Sequence, residues 1–139
     1  MAVSHDAEFL ARFNRTSPAA IHLAREVTAI DLETSSVRVS FKARPEFANR
    51  NGTVQGGFLS AMLDSACAIA LLVQLGEGIS FVTKSIEINF VSPAPLGDLL
   101  ATARVVTRDE RNAEVEAELK TPNGVVVANA TAKLRIRAI

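Results

Sequence analysis

A single cysteine, two histidines and no tryptophan or tyrosine set the first limits on this 139-residue chain. The lone Cys67 cannot close an intrachain disulfide, and with only His5 and His22 beside it no cluster has zinc-ligand spacing. No zinc site is therefore expected. Net charge is missing too: fifteen basic residues balance fifteen acidic ones, so no overall field recruits nucleic acid or an anionic membrane. The segment nearest to a membrane span, the uncharged stretch at residues 65–75, falls well short of the ~20 residues required. The opening MAVSHDAEFL is too polar for a secretory signal. Together with one free thiol, it points to a reduced, cytoplasmic setting.

What is present describes one globular domain over residues 1–139. Hydrophobic residues make up 48% and charged residues 22%, and a chain of this length buries roughly 70% of its unfolded surface. Residues 5–14 place Phe9, Leu10 and Phe13 at helical spacing behind Asp6 and Glu8, so residues 1–17 read as a short N-terminal helix and its lead-in. Thr16, Ser17 and Pro18 break it. Residues 21–33 carry a mixed pattern read as a strand. Residues 35–43 alternate Val37, Val39 and Phe41 with Arg38, Ser40 and Lys42, a half-buried strand that should pair with the preceding one.

After a turn-rich loop, the residues from Phe58 to Leu75 are helix formers with few β-branched members and no proline. This stretch is too apolar for a surface helix and predicts a central one, covered on most sides and stopped by Gly76 and Gly78. Four strand-like runs follow, at residues 81–91, 99–107, 113–120 and 126–137, with no second helix among them. The last two alternate so strictly that each must have one wet and one dry face. An antiparallel sheet wrapped around one long helix, an α+β architecture, satisfies all these patterns at once.

Between Arg50 and Glu77 the only formal charge is Asp64. A carboxylate inside an apolar run must be paired or kept for chemistry, because leaving water unpaired is costly. Upstream, Gly56 and Gly57 open the helix. Free N–H groups and the positive dipole end at a helix start suit the oxyanion of an acyl-transfer reaction, and glycine allows close approach. Gly56 N–H is the leading oxyanion donor, with Gly57 beside it. Arg108 and Arg111 flank the charged hairpin turn, where they sit as solvated charges or clamp phosphates as paired cations.

The spacing Asn49, Gly52, Gln55, Gly56, Gly57 and Asp64 resembles the N-x-x-G-x-x-H-G-G loop and helical acid of PaaI-like (phenylacetate-type) acyl-CoA thioesterases of the hotdog fold. The run INFVSPAPLGDLLATA at residues 88–103 resembles that family's second characteristic stretch. The resemblance implies hydrolysis of an acyl-CoA, without metal or redox cofactor, by a homodimer or dimer of dimers, in which Asp64 serves as general base or nucleophile and meets the Gly56 loop of a second protomer. It implies that Asn49 steadies Asp64 or the attacking water, and that Thr83 supplies a hydroxyl nearby. Phe58, with Met62 and Leu63, is a candidate wall of the acyl pocket. Gln55 stands where the family commonly has His; a glutamine amide can orient a carbonyl but cannot carry a proton. Two other readings stay open: a non-catalytic acyl-CoA or fatty-acyl binding protein, and an enoyl-thioester hydratase or dehydratase, which would ordinarily pair its carboxylate with a histidine.

Overall fold

Alternating apolar and polar residues decide the layers of the molecule. The computed structural model describes residues 3–14, 17–76 and 78–138. Its elements run β1 (Val3–Ser4), α1 (Ala7–Ala11), α2 (Pro18–His22), β2 (Glu26–Asp31), β3 (Ser36–Ala43), a 3-10 turn (Pro45–Phe47), α3 (Gly56–Leu75), β4 (Ile79–Phe90), β5 (Gly97–Arg108), β6 (Asn112–Lys120) and β7 (Val126–Ala138). The strands form one antiparallel sheet in the order β1-β2-β3-β5-β6-β7-β4. This is the hotdog arrangement: β3 and β4 are consecutive in the chain yet separated by three strands in the sheet, and α3 carries the chain across that gap.

The dry face explains why the sheet can wrap so closely. Ala103 on β5, Ala117 on β6 and Ala130 on β7 stand side by side in register, and all are buried, as are Val115, Leu119, Ala132 and Leu134. Small side chains let the helix approach the backbone, and the Cys67 Sγ lies 4.0 Å from the Val115 carbonyl oxygen. On α3 itself Leu59, Met62, Leu63, Ala66, Cys67, Ile69, Ala70 and Leu71 are buried, each larger one contributing about 1.5–3 kcal/mol. Gly76 ends the helix at φ 74°, a left-handed conformation that favours glycine. By length and composition α3 could cross a membrane, but its packing on the sheet is that of a core helix.

The structure departs from the sequence reading in three places. Residues 21–33 are not one strand. Ser17 caps α2 by accepting from the Ala20 N–H at 3.2 Å, and Pro18 occupies the first turn, where its missing N–H costs nothing; what read as a break is a helix start. Thr16 lies outside the described residues. Ala24, at φ 50°, then reverses the chain into β2. Second, the first helix is shorter than residues 5–14, starting from an Asp6 cap and ending at Ala11.

The third departure bears on function. α3 is not covered on most sides: Gly57 and Ala61 are exposed, and Asp64, Ser65, Ala68, Leu72 and Leu75 only half-buried. At three- and four-residue spacing these form one stripe. Beside it runs β4, an edge strand of twelve residues paired only to β7, on which Val82 and Phe90 are 54% and 56% exposed.

Candidate active site

Asp64 sits on the open stripe of α3, and the Thr83 hydroxyl donates to its Oδ1 at 2.7 Å. Thr83 projects from β4 just before the irregularity between Thr83 and Ser85 in the pairing with β7. One carboxylate oxygen is thus held while the other is left for a ligand. The other hydroxyls near Asp64 in sequence are engaged elsewhere: Ser60 donates to the Gly56 carbonyl at 2.8 Å, and Ser65 accepts from Arg25 Nη1 at 3.1 Å.

Two turns back along the same stripe lie Gly56 and Gly57, roughly 10–12 Å from Asp64 at ~1.5 Å per residue. Their N–H groups have no backbone or side-chain acceptor among the described residues. Gln55 is exposed at the N-cap position and makes no side-chain cap bond; its N–H donates to the Phe47 carbonyl at 2.8 Å and so fixes the helix start. Asn49 shapes the loop rather than reaching Asp64. Its Oδ1 accepts from the Asn51 and Thr53 N–H groups at 2.9 and 3.2 Å, and its Nδ2 donates to Thr53 Oγ1 at 2.9 Å. A groove of about 350 Å³ opens here, lined in part by Asn49, Gly56, Leu59, Phe90 and Pro93.

Phe90 was missing from the sequence reading, and it changes what the glycines mean. A Cβ on Gly56 would lie 3.3 Å from the Phe90 ring, whereas one on Gly57 would meet nothing within 4 Å. A side chain at Gly56 would thus press on the Phe90 ring, and Gly57 is the glycine with open space before it. Gly57→Ala is expected to stabilise the free protein by up to about 1 kcal/mol through helix propensity. Gly56→Ala should gain less, because the ring must give way. Urea midpoints should show that difference vanish in a Phe90→Ala background.

The remaining sequence candidates separate. Phe58 stacks on Phe47 with centroids 4.1 Å apart, so its ring is part of the packing beneath the helix start. His22, which the sequence placed nowhere, lies 6.4 Å from Phe58 by ring centroids. Its Nδ1 accepts from Arg44 Nη2 at 2.7 Å. Arg108 lines a different groove, of about 480 Å³, with Lys84, Asn112, Glu114 and Lys133; neither it nor Arg111 lines the groove at Gly56. In the turn between β5 and β6, the Arg111 and Asn112 N–H groups donate to Asp109 at 2.8 and 2.9 Å and hold its carboxyl below the usual range.

Residues 51–128, more than half the chain and including Gly56, Gly57, Asp64 and Thr83, match the sequence profile of the thioesterase superfamily. The chain belongs to that superfamily. A solved structure from Ralstonia eutropha JMP134, a provisionally named thioesterase described as a phenylacetic acid degradation-related protein, is 34% identical to this PaaI-like thioesterase. The match covers 95% of this chain and 99% of that one, with a TM-score of 0.84. The Escherichia coli PaaI protein, from the phenylacetic acid degradation operon, shares the fold at 24% identity, a TM-score of 0.82 and coverage of 98% and 95%. A provisionally named esterase of Saccharolobus solfataricus is 28% identical over 105 residues, 76% of this chain and 74% of that protein. Thioester hydrolysis is the chemistry of the superfamily to which the open stripe, the glycine helix start and Asp64 belong.

Proposed function

We propose that this thioesterase hydrolyses acyl-CoA, with Asp64 as general base and the Gly56 and Gly57 N–H groups as oxyanion donors. The observation that carries the proposal is the Thr83 hydroxyl held 2.7 Å from Asp64 on the uncovered stripe of α3. The water oxygen bonds to the thioester carbon while its proton passes to the free oxygen of Asp64, and the carbonyl oxygen becomes an oxyanion facing the helix start. The carbonyl then re-forms, the C–S bond breaks and Asp64 returns the proton to the departing sulfur. Asp64 as a nucleophile forming an anhydride differs in one measurable way. Repeated single turnovers in 18O-water would place label in the Asp64 carboxylate only if it attacks directly.

The acid and the glycines lie two helical turns apart in one chain, too far for one thioester carbonyl. A second copy, its β4 pairing with the unpaired edge of this one and its glycine loop reaching Asp64, would bring them together. A long exposed edge strand invites such pairing, and β4 lies beside the stripe that needs covering. Asn49 keeps the loop in shape, and Gln55 orients the carbonyl without transferring a proton. Arg108, with Lys84 and Lys133, offers cations for the phosphates of CoA.

The test is release of free thiol from a panel of aryl- and medium-chain acyl-CoAs. Release supports the proposal. Tight binding with no release over hours would make the chain an acyl-CoA binding protein, and hydration of an enoyl-CoA with no thiol release would make it a hydratase.

A further inference from the structure

Arg25 is the one cation that reaches the open stripe of α3 without an ionic partner among the described residues. The turn at Ala24 directs it there, and the Arg25 N–H donates to the Ala20 carbonyl at 2.9 Å. Its Nη1 donates to Ser65 Oγ at 3.1 Å, while its buried Nε has no hydrogen-bond partner. No carboxylate of the described residues lies within ion-pair distance. Burial lowers its pKa from the ordinary value, as expected for a guanidinium that has lost water without gaining an anion. One serine hydroxyl is a poor replacement for that water.

The location gives this cation its meaning. Ser65 follows Asp64 directly, and Ala61 and Ala68 flank the pair one turn to either side. Thr83 holds Asp64 from β4, and Arg25 meets Ser65 from the turn before β2. Between them the stripe carries the small side chains of Ala61, exposed, and Ala68, half-buried.

We propose that Arg25 is a specificity-determining residue that binds an anionic group at the far end of the acyl chain, so that the substrates include short ω-carboxyacyl thioesters. The proposal rests on the acyl-CoA reading above. Arg25 Nη1 lies 3.1 Å from Ser65 Oγ, and the Ser65 Cα is ~3.8 Å from that of Asp64, which suits a short chain between a carbonyl at Asp64 and a carboxylate at Arg25. A guanidinium fork matches a carboxylate in geometry as well as charge. It also makes the substrate admissible, since a carboxylate brought close to Asp64 without a cation would be repelled.

The experiment compares glutaryl-CoA with hexanoyl-CoA, chains of similar length with and without the terminal charge, in wild type, Arg25→Met and Arg25→Lys. In wild type the ratio of kcat/KM should favour glutaryl-CoA. Arg25→Met should lower that ratio by about 10–100-fold, the worth of a hydrogen bond to a charged group, with Arg25→Lys in between. Isothermal titration with free glutarate gives a readout independent of turnover: binding to wild type, lost in Arg25→Met. An unchanged ratio, or an equal loss on both thioesters with no glutarate binding, would overturn the inference and leave Arg25 a structural residue. If neither thioester is hydrolysed yet glutarate binds through Arg25, the catalytic reading fails while the anion site stands.

Discussion

Asp64→Asn is expected to lower thiol release by about 10²–10⁴-fold, the usual worth of a positioned general base, with circular dichroism and the urea midpoint close to those of wild type. The amide keeps the volume of the carboxylate and can still accept from Thr83 Oγ1, the 2.7 Å bond that holds Asp64. What it loses is the ability to take a proton. Thr83→Val, which removes the orienting donor but leaves the base, should cost much less, and its loss should fall on kcat more than on KM. A fully active Asp64→Asn would remove Asp64 from the mechanism. A variant that fails to fold is distinguished by its denaturation curve, with Asp64→Ala as the second probe of the same charge.

The same variant tests the shared site. A Cβ on Gly57 meets nothing within 4 Å, so Gly57→Phe sets a ring in front of the helix start. Asp64→Asn and Gly57→Phe should each be inactive alone. If the acid of one protomer works with the glycines of another, a mixed dimer has one site carrying both defects and one carrying neither. Equal mixing after unfolding and refolding should then restore about one quarter of wild-type activity. A site contained within one chain restores none.

How much of this was legible in the sequence follows from which physical rule governs each part. Strict alternation at residues 113–120 and 126–137 made β6 and β7 readable, because a sheet with one dry face leaves a period of two in the chain. The glycine and acid spacing was readable because α3 turns the interval from Gly57 to Asp64 into two turns of one face. Pro18 misled, since the same residue that ends one helix can begin the next. The open stripe was illegible for a different reason: Ala61 and Ala68 are apolar and read as part of a covered helix, and only tertiary packing shows that the described residues leave Ala61 exposed and Ala68 half-buried. Phe90 and Arg25 act through contacts 34 and 40 residues away along the sequence, with Gly56 and Ser65. Such contacts leave no local pattern, although an aromatic at the end of an edge strand and a lone basic residue before a strand were the available signals.

The protein should lose stability in mild alkali through one buried atom. Cys67 is completely buried, and burial, with the nearby charge of Asp64 adding to it, pushes its thiol from an ordinary value of 9.0 up to about 12. Below pH 9 the thiol is neutral in both the folded and the unfolded chain, so it makes stability neither rise nor fall. Between pH 9 and about 12 the unfolded chain gives up this proton and the folded chain keeps it. Ionisation then favours unfolding, at up to about 1.4 kcal/mol per pH unit. The chain has no tyrosine to ionise over the same range. Urea midpoints at pH 8, 9, 9.5 and 10 should fall in wild type, whereas Cys67→Ala, less stable at pH 8 because of the space it leaves, should change little over the same range. The two curves should converge as pH rises. A parallel decline would show that the thiol ionises equally in both states, and rapid labelling of the native protein by a thiol reagent at pH 8 would show that the sulfur is not sealed against the sheet.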